Sequence, residues 1–146
     1  MISRSPIACS GDIDPGVVCE TRLLHVDDVD IDTSIRAASM ARAAGIPITS
    51  DIEQVGERTE ELVAAVTIPI FAEHVLEPLT GERDFERALR KLRQRHAGML
   101  CVTLGARGAM LLDGDELYYT VAMAAVGQEL THHLEATLKR QVPATQ

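Results

Sequence analysis

The sequence predicts an α/β fold built on a mostly parallel sheet with helices on its faces, and three observations carry that prediction. Short apolar runs alternate with stretches of helical spacing, strand then helix, joined by short loops. Aromatic residues make up only 3% of the 146 residues and Trp is absent, so the core must come from Ala, Val, Leu, Ile and Met, which suits helices on a sheet better than a sandwich. Apolar residues reach 46%, and a chain of this length has the core of one domain.

The elements follow in order. Residues 1–20 hold Pro6, Gly11, Pro15 and Gly16 and read as an irregular segment. The run 22–26, ending in Asp27-Asp28, reads as a buried strand. Asp30 or Asp32 caps a helix carrying Ile35, Ala38 and Ala41, and Gly45 ends it. Residues 46–50 form the next strand, with Pro47 near its start, where a missing N–H is tolerated. A helix over 59–66, a strand over 68–71 and a helical turn or two over 73–79 follow, closed by Gly81. Asp84 caps a helix over 85–96 with Phe85, Ala88, Leu89 and Leu92 on one face and five basic residues from Arg87 to Arg95 on the other, which reads as solvated surface. Residues 99–103 are the most strand-like run, and 109–112 and 116–120 flank Asp113-Gly114, a hairpin signal. Residues 121–140 read as an amphipathic helix, with Leu130, Leu134 and Leu138 four apart.

Composition narrows the function. The net charge of −8 opposes phosphate backbones and anionic membranes, so neither nucleic acid nor a membrane is an expected partner. No apolar run approaches the roughly 18 residues of a span, and Met1 to Pro6 lacks a signal-peptide core. Cys9, Cys19 and Cys101 are widely spaced, which fits a reducing cytoplasm and gives zinc no support. The expected localisation is cytoplasmic.

In a parallel sheet, ligands bind at the carboxyl ends of the strands. Asp27, Asp28, Asp51, Glu53, Ala72, Glu73 and residues 103–108 are therefore the candidates. Thr103, Gly105 and Gly108 stand in Thr-Leu-Gly-Ala-Arg-Gly, which reads either as a tight turn or as a loop whose N–H groups and hydroxyl hold phosphate oxygens. Asp51 and Glu53 read either as a solvated, capping loop or as acidic site residues. His132-His133 with Glu129 reads as helix surface before it reads as a metal site, and His25 near Asp27 as a satisfied strand histidine before an acid–base pair. Asp27-Asp28 with Asp51 and Thr103 suits a response-regulator pocket poorly, because both lysines, Lys91 and Lys139, fall in helical runs.

The ordered set of strings Leu-Leu-His-Val-Asp (23–27), Ala-Arg-Ala-Ala-Gly-Ile-Pro-Ile (41–48), Ser-Asp-Ile-Glu (50–53), Glu-Pro-Leu-Thr-Gly (77–81), Phe-Glu-Arg-Ala-Leu-Arg-Lys-Leu (85–92), Val-Thr-Leu-Gly-Ala-Arg-Gly-Ala (102–109) and Asp-Gly-Asp-Glu-Leu-Tyr-Tyr (113–119) resembles the PfkB or ribokinase family of carbohydrate kinases. The resemblance covers about two thirds of the chain. It implies a three-layer, Rossmann-like, ribokinase-like α/β fold, present in part, and ATP-dependent phosphorylation of a sugar hydroxyl. It places Thr103, Gly105 and Gly108 against ATP, and Asp51 and Glu53 near the phosphates and Mg2+. Nucleotide and sugar are the implied ligands.

The chain departs from that family in two places. The family's Asn-x-x-Glu before Leu-Thr-Gly aligns with Ala72 and Val75, which weakens metal handling. The family's Gly-Ala-Gly-Asp, whose aspartate is the general base, occurs nowhere, so no catalytic residue is assigned. The resemblance stops abruptly after Tyr119, as a shifted reading frame would produce. The chain divides into an irregular segment (1–20), a partial ribokinase-like domain (21–120) and a helical tail (121–146). Two readings follow: a sugar kinase without phosphotransfer, or a non-catalytic nucleotide-binding or self-assembling module, a homo-oligomer through exposed edge strands.

Overall fold

The computed structural model describes residues 13–123 and 131–139. Seven strands form one sheet in strictly sequential order. The first four, β1 (Leu24–Asp27), β2 (Ile48–Ile52), β3 (Ile68–Ala72) and β4 (Leu100–Thr103), are parallel. The last three, β5 (Ala109–Asp113), β6 (Glu116–Met123) and β7 (Thr131–Lys139), continue it as an antiparallel meander. Five helices accompany them: α1 (Pro15–Cys19), α2 (Ile31–Ala43), α3 (Thr59–Ala65), α4 (Glu73–Thr80) and α5 (Phe85–Arg93).

Local chemistry explains the helix ends. Asp30 caps α2, its Oδ1 accepting the Thr33 N–H at 3.2 Å while its Oδ2 accepts the Thr33 hydroxyl at 2.8 Å. Asp84 caps α5 by accepting the Arg87 N–H at 2.9 Å. Gly81 closes α4 with φ +77°, a left-handed conformation that favours glycine. Arg58, just before α3, pairs with Asp32 of α2 and with Glu61, and this holds its guanidinium above the ordinary arginine range, mainly through the hydrogen bond to Glu61.

The core lies between one sheet face and the helices. Ile48, Ile52, Phe71, Leu100, Leu112 and Leu117 of the sheet and Leu62, Leu76, Leu89 and Leu92 of the helices are all under 2% exposed. Helix α1 packs on α2, α2 on α3 and α4 on α5, while Arg95 beyond α5 bridges to Glu60 of α3 at 3.1 Å. Sequential parallel strands with right-handed crossovers put every connecting helix on the same face. The opposite face is open: His25, Asp27, Thr103 and Thr120 are exposed on it, and Ile68, Ile70, Cys101 and Leu111 are half-buried. The α/β class and the ribokinase-like sheet are those expected. Of the three expected layers, the described residues form the sheet and one layer of helices.

Two expectations need correction. The described residues of the expected helix over 121–140 are strand: β6 runs on to Met123, and residues 131–139 are strand β7, paired to β6 from Glu116↔Lys139 to Met123↔Thr131. The physical reason is a degeneracy of spacing. Leucines four apart satisfy a helical repeat, but four is also a multiple of two, and 130–139 alternates Leu, His, Leu, Ala, Leu with Thr, His, Glu, Thr, Lys. Leu130 itself, like Glu129, lies outside the described residues. The segment 1–20 is not wholly irregular either, since Pro15–Cys19 is helix α1, with Asp14 accepting the Gly16 N–H at 2.8 Å and Pro15 at its first position. Residues 1–12, including Cys9, lie outside the described residues. Among the described residues no helix is long and apolar enough to cross a membrane.

Candidate functional site

The strand ends gather the candidate residues on one rim. Asp51 of β2 stands directly opposite Asp27 of β1 and Ile70 of β3, and Ile70 stands opposite Cys101 of β4. Thr103, two residues beyond Cys101, therefore shares the open face with Asp51, two strands across and two residues along, at roughly 12 Å from the ordinary strand spacing and rise. Thr103 is exposed and its hydroxyl donates to the Phe71 carbonyl at 3.4 Å. Glu53 lies just past β2, exposed.

The glycine segment after β4 is a closed turn. Residues Gly105–Arg107 form a single 3-10 turn in which the Arg107 N–H donates to Leu104 at 3.1 Å and the Gly108 N–H to Gly105 at 3.1 Å. The Leu104 N–H donates back to the Gly108 carbonyl at 2.8 Å. Gly105 has φ +56° and Gly108 has φ +95° with ψ −139°, a region that essentially only glycine enters. The two glycines that sequence reasoning singled out are thus the two positions where this turn needs a positive φ. The turn's own hydrogen bonds leave the Gly105 and Ala106 N–H groups at its entrance.

Three residues hold this rim: Arg107 and Asp28, both among the strand-end candidates, and His74, which sequence reasoning did not single out. Arg107 is tied at both ends: its carbonyl accepts the Tyr119 hydroxyl at 2.8 Å, its guanidinium pairs with Glu73 at the start of α4, and it lies 5.5 Å from the Phe85 ring centre. Asp28 accepts the N–H groups of both Glu53 and Gln54, at 2.8 and 2.7 Å. His74 donates from Nε2 to the Glu53 carbonyl at 2.7 Å. The Glu53 peptide is therefore fixed from β1 on one side and α4 on the other. These contacts join residues 12 to 34 positions apart, which local sequence patterns do not encode.

The remaining candidates take quieter roles. His25 Nδ1 lies 2.9 Å from Thr49 Oγ1, a strand histidine with a partner. Ala72 and Val75, where the family pattern asks for Asn and Glu, are 7% and 1% exposed and belong to the core. Burial pushes the Cys101 thiol up, so it stays a neutral thiol and a poor nucleophile. His132 and His133 lie in β7 rather than on a helix. Among the described residues no group of three or more His, Cys, Asp or Glu side chains converges as a metal site.

Comparison with known proteins bears on this rim through the fold. No protein-family model matches the sequence. Among solved structures, the chain is similar to a PfkB protein from Polaromonas sp. JS666, with 21% identity and a TM-score of 0.67 over 78% of this chain and 45% of that one. It is similar to a fructokinase from Vibrio cholerae O395 in a fructose-, ADP- and calcium-bound form, with 23% identity and a TM-score of 0.59 over 70% of this chain and 39% of that one. It is also similar to an aminoimidazole riboside kinase from Salmonella enterica, complexed with its riboside and an ATP analogue, with 20% identity and a TM-score of 0.60 over 70% of this chain and 40% of that one. The chain thus carries the α/β fold of the PfkB and ribokinase carbohydrate kinases and spans less than half the length of the solved structures it matches.

Proposed function

We propose that this chain is the nucleotide-side core of a PfkB-type carbohydrate kinase, and that its 146 residues bind ATP or ADP without transferring a phosphoryl group. The observation that carries the reading is the closed turn after β4, with left-handed Gly105 and Gly108 directly following the exposed Thr103 at the carboxyl end of the strand. Exposed N–H groups at a strand-to-turn junction suit phosphate oxygens. Neighbours with the same fold bind ADP or an ATP analogue together with a sugar or riboside, which supports the same pair of ligands here.

The fit to magnesium is divided. Ala72 and Val75 are core residues with no donor atom, and Glu73 is paired with Arg107, so the start of α4 lacks the Asn and Glu that the family pattern places there. Asp51 and Glu53 supply oxygen donors of the kind a hard cation takes, and at this rim such an ion would screen carboxylate from phosphate. Phosphoryl transfer rests on positioning and on a base for the attacking hydroxyl, and the sequence has no Gly-Ala-Gly-Asp to provide that base.

Calorimetry with ADP tests the binding, and a coupled assay with ATP and a panel of hexoses and pentoses tests the chemistry. Saturable ADP binding is expected, weakened about tenfold by Gly108→Val, which blocks the left-handed backbone. Magnesium is expected to strengthen ADP binding in the unaltered chain and to lose that effect in Asp51→Asn. Sugar phosphorylation is expected at background; robust turnover would overturn the second half of the proposal, and absence of ADP binding the first.

A further inference from the structure

We propose that Arg107 is the cation that receives the nucleotide's phosphates at the turn after β4, and that Glu73 competes with those phosphates for it. The assignment rests on the nucleotide reading of that turn and adds to it a binding residue and a restraint on the affinity. The charge of the rim calls for such a cation. The strand-end segments 27–28, 51–54, 72–74 and 103–108 carry the carboxylates of Asp27, Asp28, Asp51, Glu53 and Glu73, and Arg107 is their one lysine or arginine. A nucleoside diphosphate brought to this rim meets like charge from each of those carboxylates and attraction from Arg107. Arg58, beyond the 51–54 segment, is engaged by both Asp32 and Glu61.

Strand register brings the pair to the turn. Ala72 of β3 stands opposite Thr103 of β4, so Glu73 and Leu104, the next residue of each, leave the sheet side by side. Pairing with Glu73 carries the Arg107 guanidinium back to the end of β3, the strand next to Thr103.

The residue is fixed at its root and exchangeable at its tip. The Arg107 N–H donates to Leu104 at 3.1 Å and its carbonyl accepts the Tyr119 hydroxyl at 2.8 Å, so the main chain stays in the turn whatever the guanidinium does. The guanidinium carbon lies 5.5 Å from the Phe85 ring centre, and a guanidinium over a ring keeps its N–H edges for other partners. The Glu73 contact is the one that yields: the Arg107 side chain is 60% exposed and that of Glu73 41%, and an ion pair so open to water is weak. A diphosphate offers the same planar fork more charge than one carboxylate does, and so displaces it. Every binding event must first break the pair, so Glu73 lowers the affinity of the turn through Arg107.

Calorimetry of the full chain with ADP in magnesium-free buffer tests the exchange, comparing the unaltered chain, Arg107→Met, Glu73→Gln and the double variant. Arg107→Met is expected to weaken ADP binding about tenfold. Glu73→Gln is expected to strengthen it about threefold. Adding Glu73→Gln to Arg107→Met is expected to change the affinity less than about twofold, because no guanidinium remains to be released. Methionine keeps the side-chain stem and all of the main-chain bonds, and circular dichroism checks that each variant keeps its fold. If Glu73→Gln weakens binding as Arg107→Met does, the pair is a brace for the turn. If Glu73→Gln strengthens binding equally in both backgrounds, Glu73 acts by repulsion alone. If Arg107→Met binds ADP as the unaltered chain does, the phosphates lie elsewhere, and if binding appears only with magnesium, the metal meets them instead. Each of these results overturns the assignment while the nucleotide reading stands. Absence of ADP binding by the unaltered chain, with magnesium or without it, overturns both.

Discussion

Gly98→Ala is expected to destabilise the fold by roughly 3 kcal/mol, enough to remove much of the stability of a small domain. A Cβ at position 98 would lie 1.9 Å from the Thr67 carbonyl oxygen and 2.9 Å from His96 Cε1. The obstacle is backbone, so no side-chain rotation relieves it. Thr67 cannot withdraw cheaply, because it is hydrogen-bonded to Ile48 three times: its N–H donates to the Ile48 carbonyl at 3.0 Å, its hydroxyl to the same carbonyl at 2.8 Å, and the hydroxyl accepts the Ile48 N–H at 2.7 Å. The buried His96 ties the same turns, donating from Nε2 to Val66 at 3.0 Å and accepting the Gly98 N–H on Nδ1 at 3.2 Å. Urea unfolding monitored by circular dichroism measures the effect. A midpoint unchanged from that of the unaltered protein would mean that the turn before β4 does not sit against β3 as described.

Arg93→Met is expected to cost about 3 kcal/mol at the same end of the sheet, and Arg93→Lys somewhat less. The Arg93 Nη1 donates to the carbonyls of His96, Ala97 and Gly98 at 3.1, 2.8 and 2.7 Å, and Nη2 donates to Leu112 of β5 at 3.0 Å. Nη1 carries two hydrogens, so three acceptors share them. Methionine keeps the apolar stem and leaves four carbonyls short of a donor, three of them in the turn that leads α5 into β4. Lysine keeps the charge but is a point donor that cannot span the turn and β5 together. Equal midpoints for the methionine variant and the unaltered protein would show that water replaces the guanidinium without loss.

These two sites, Arg93 with its four carbonyls and Gly98 against Thr67, lie at the amino ends of β3 and β4, whereas the candidate nucleotide turn lies at the carboxyl end of β4. Stability and ligand contact therefore occupy opposite ends of the same strands, and substitutions at one end need not disturb the other.

What the sequence made legible was local. Asp30, Asp84 and Gly81 announce helix ends within a few residues of themselves, and Gly105 and Gly108 announce a turn that needs left-handed backbone. What it hid was non-local. Arg93 fits the basic face of α5 by spacing, yet its acceptors lie beyond the helix and on β5. Asp28 reads as a strand-end candidate, but its partners, the Glu53 and Gln54 N–H groups, are brought to it only by the strand order. The one-sided helix layer follows from sequential strand order, which no single segment specifies. The segment 131–139 was misread because its leucine spacing satisfies two periods at once, and pairing with β6 decides between them.

The most direct test of the nucleotide reading is an amide-resolved NMR titration of the isotope-labelled chain with ADP and magnesium. The account predicts saturable shifts that concentrate at Gly105, Ala106 and Gly108, with Thr103 and the 51–54 segment following on the same binding curve. Saturable shifts confined to another part of the chain, or none at millimolar ADP, would contradict it.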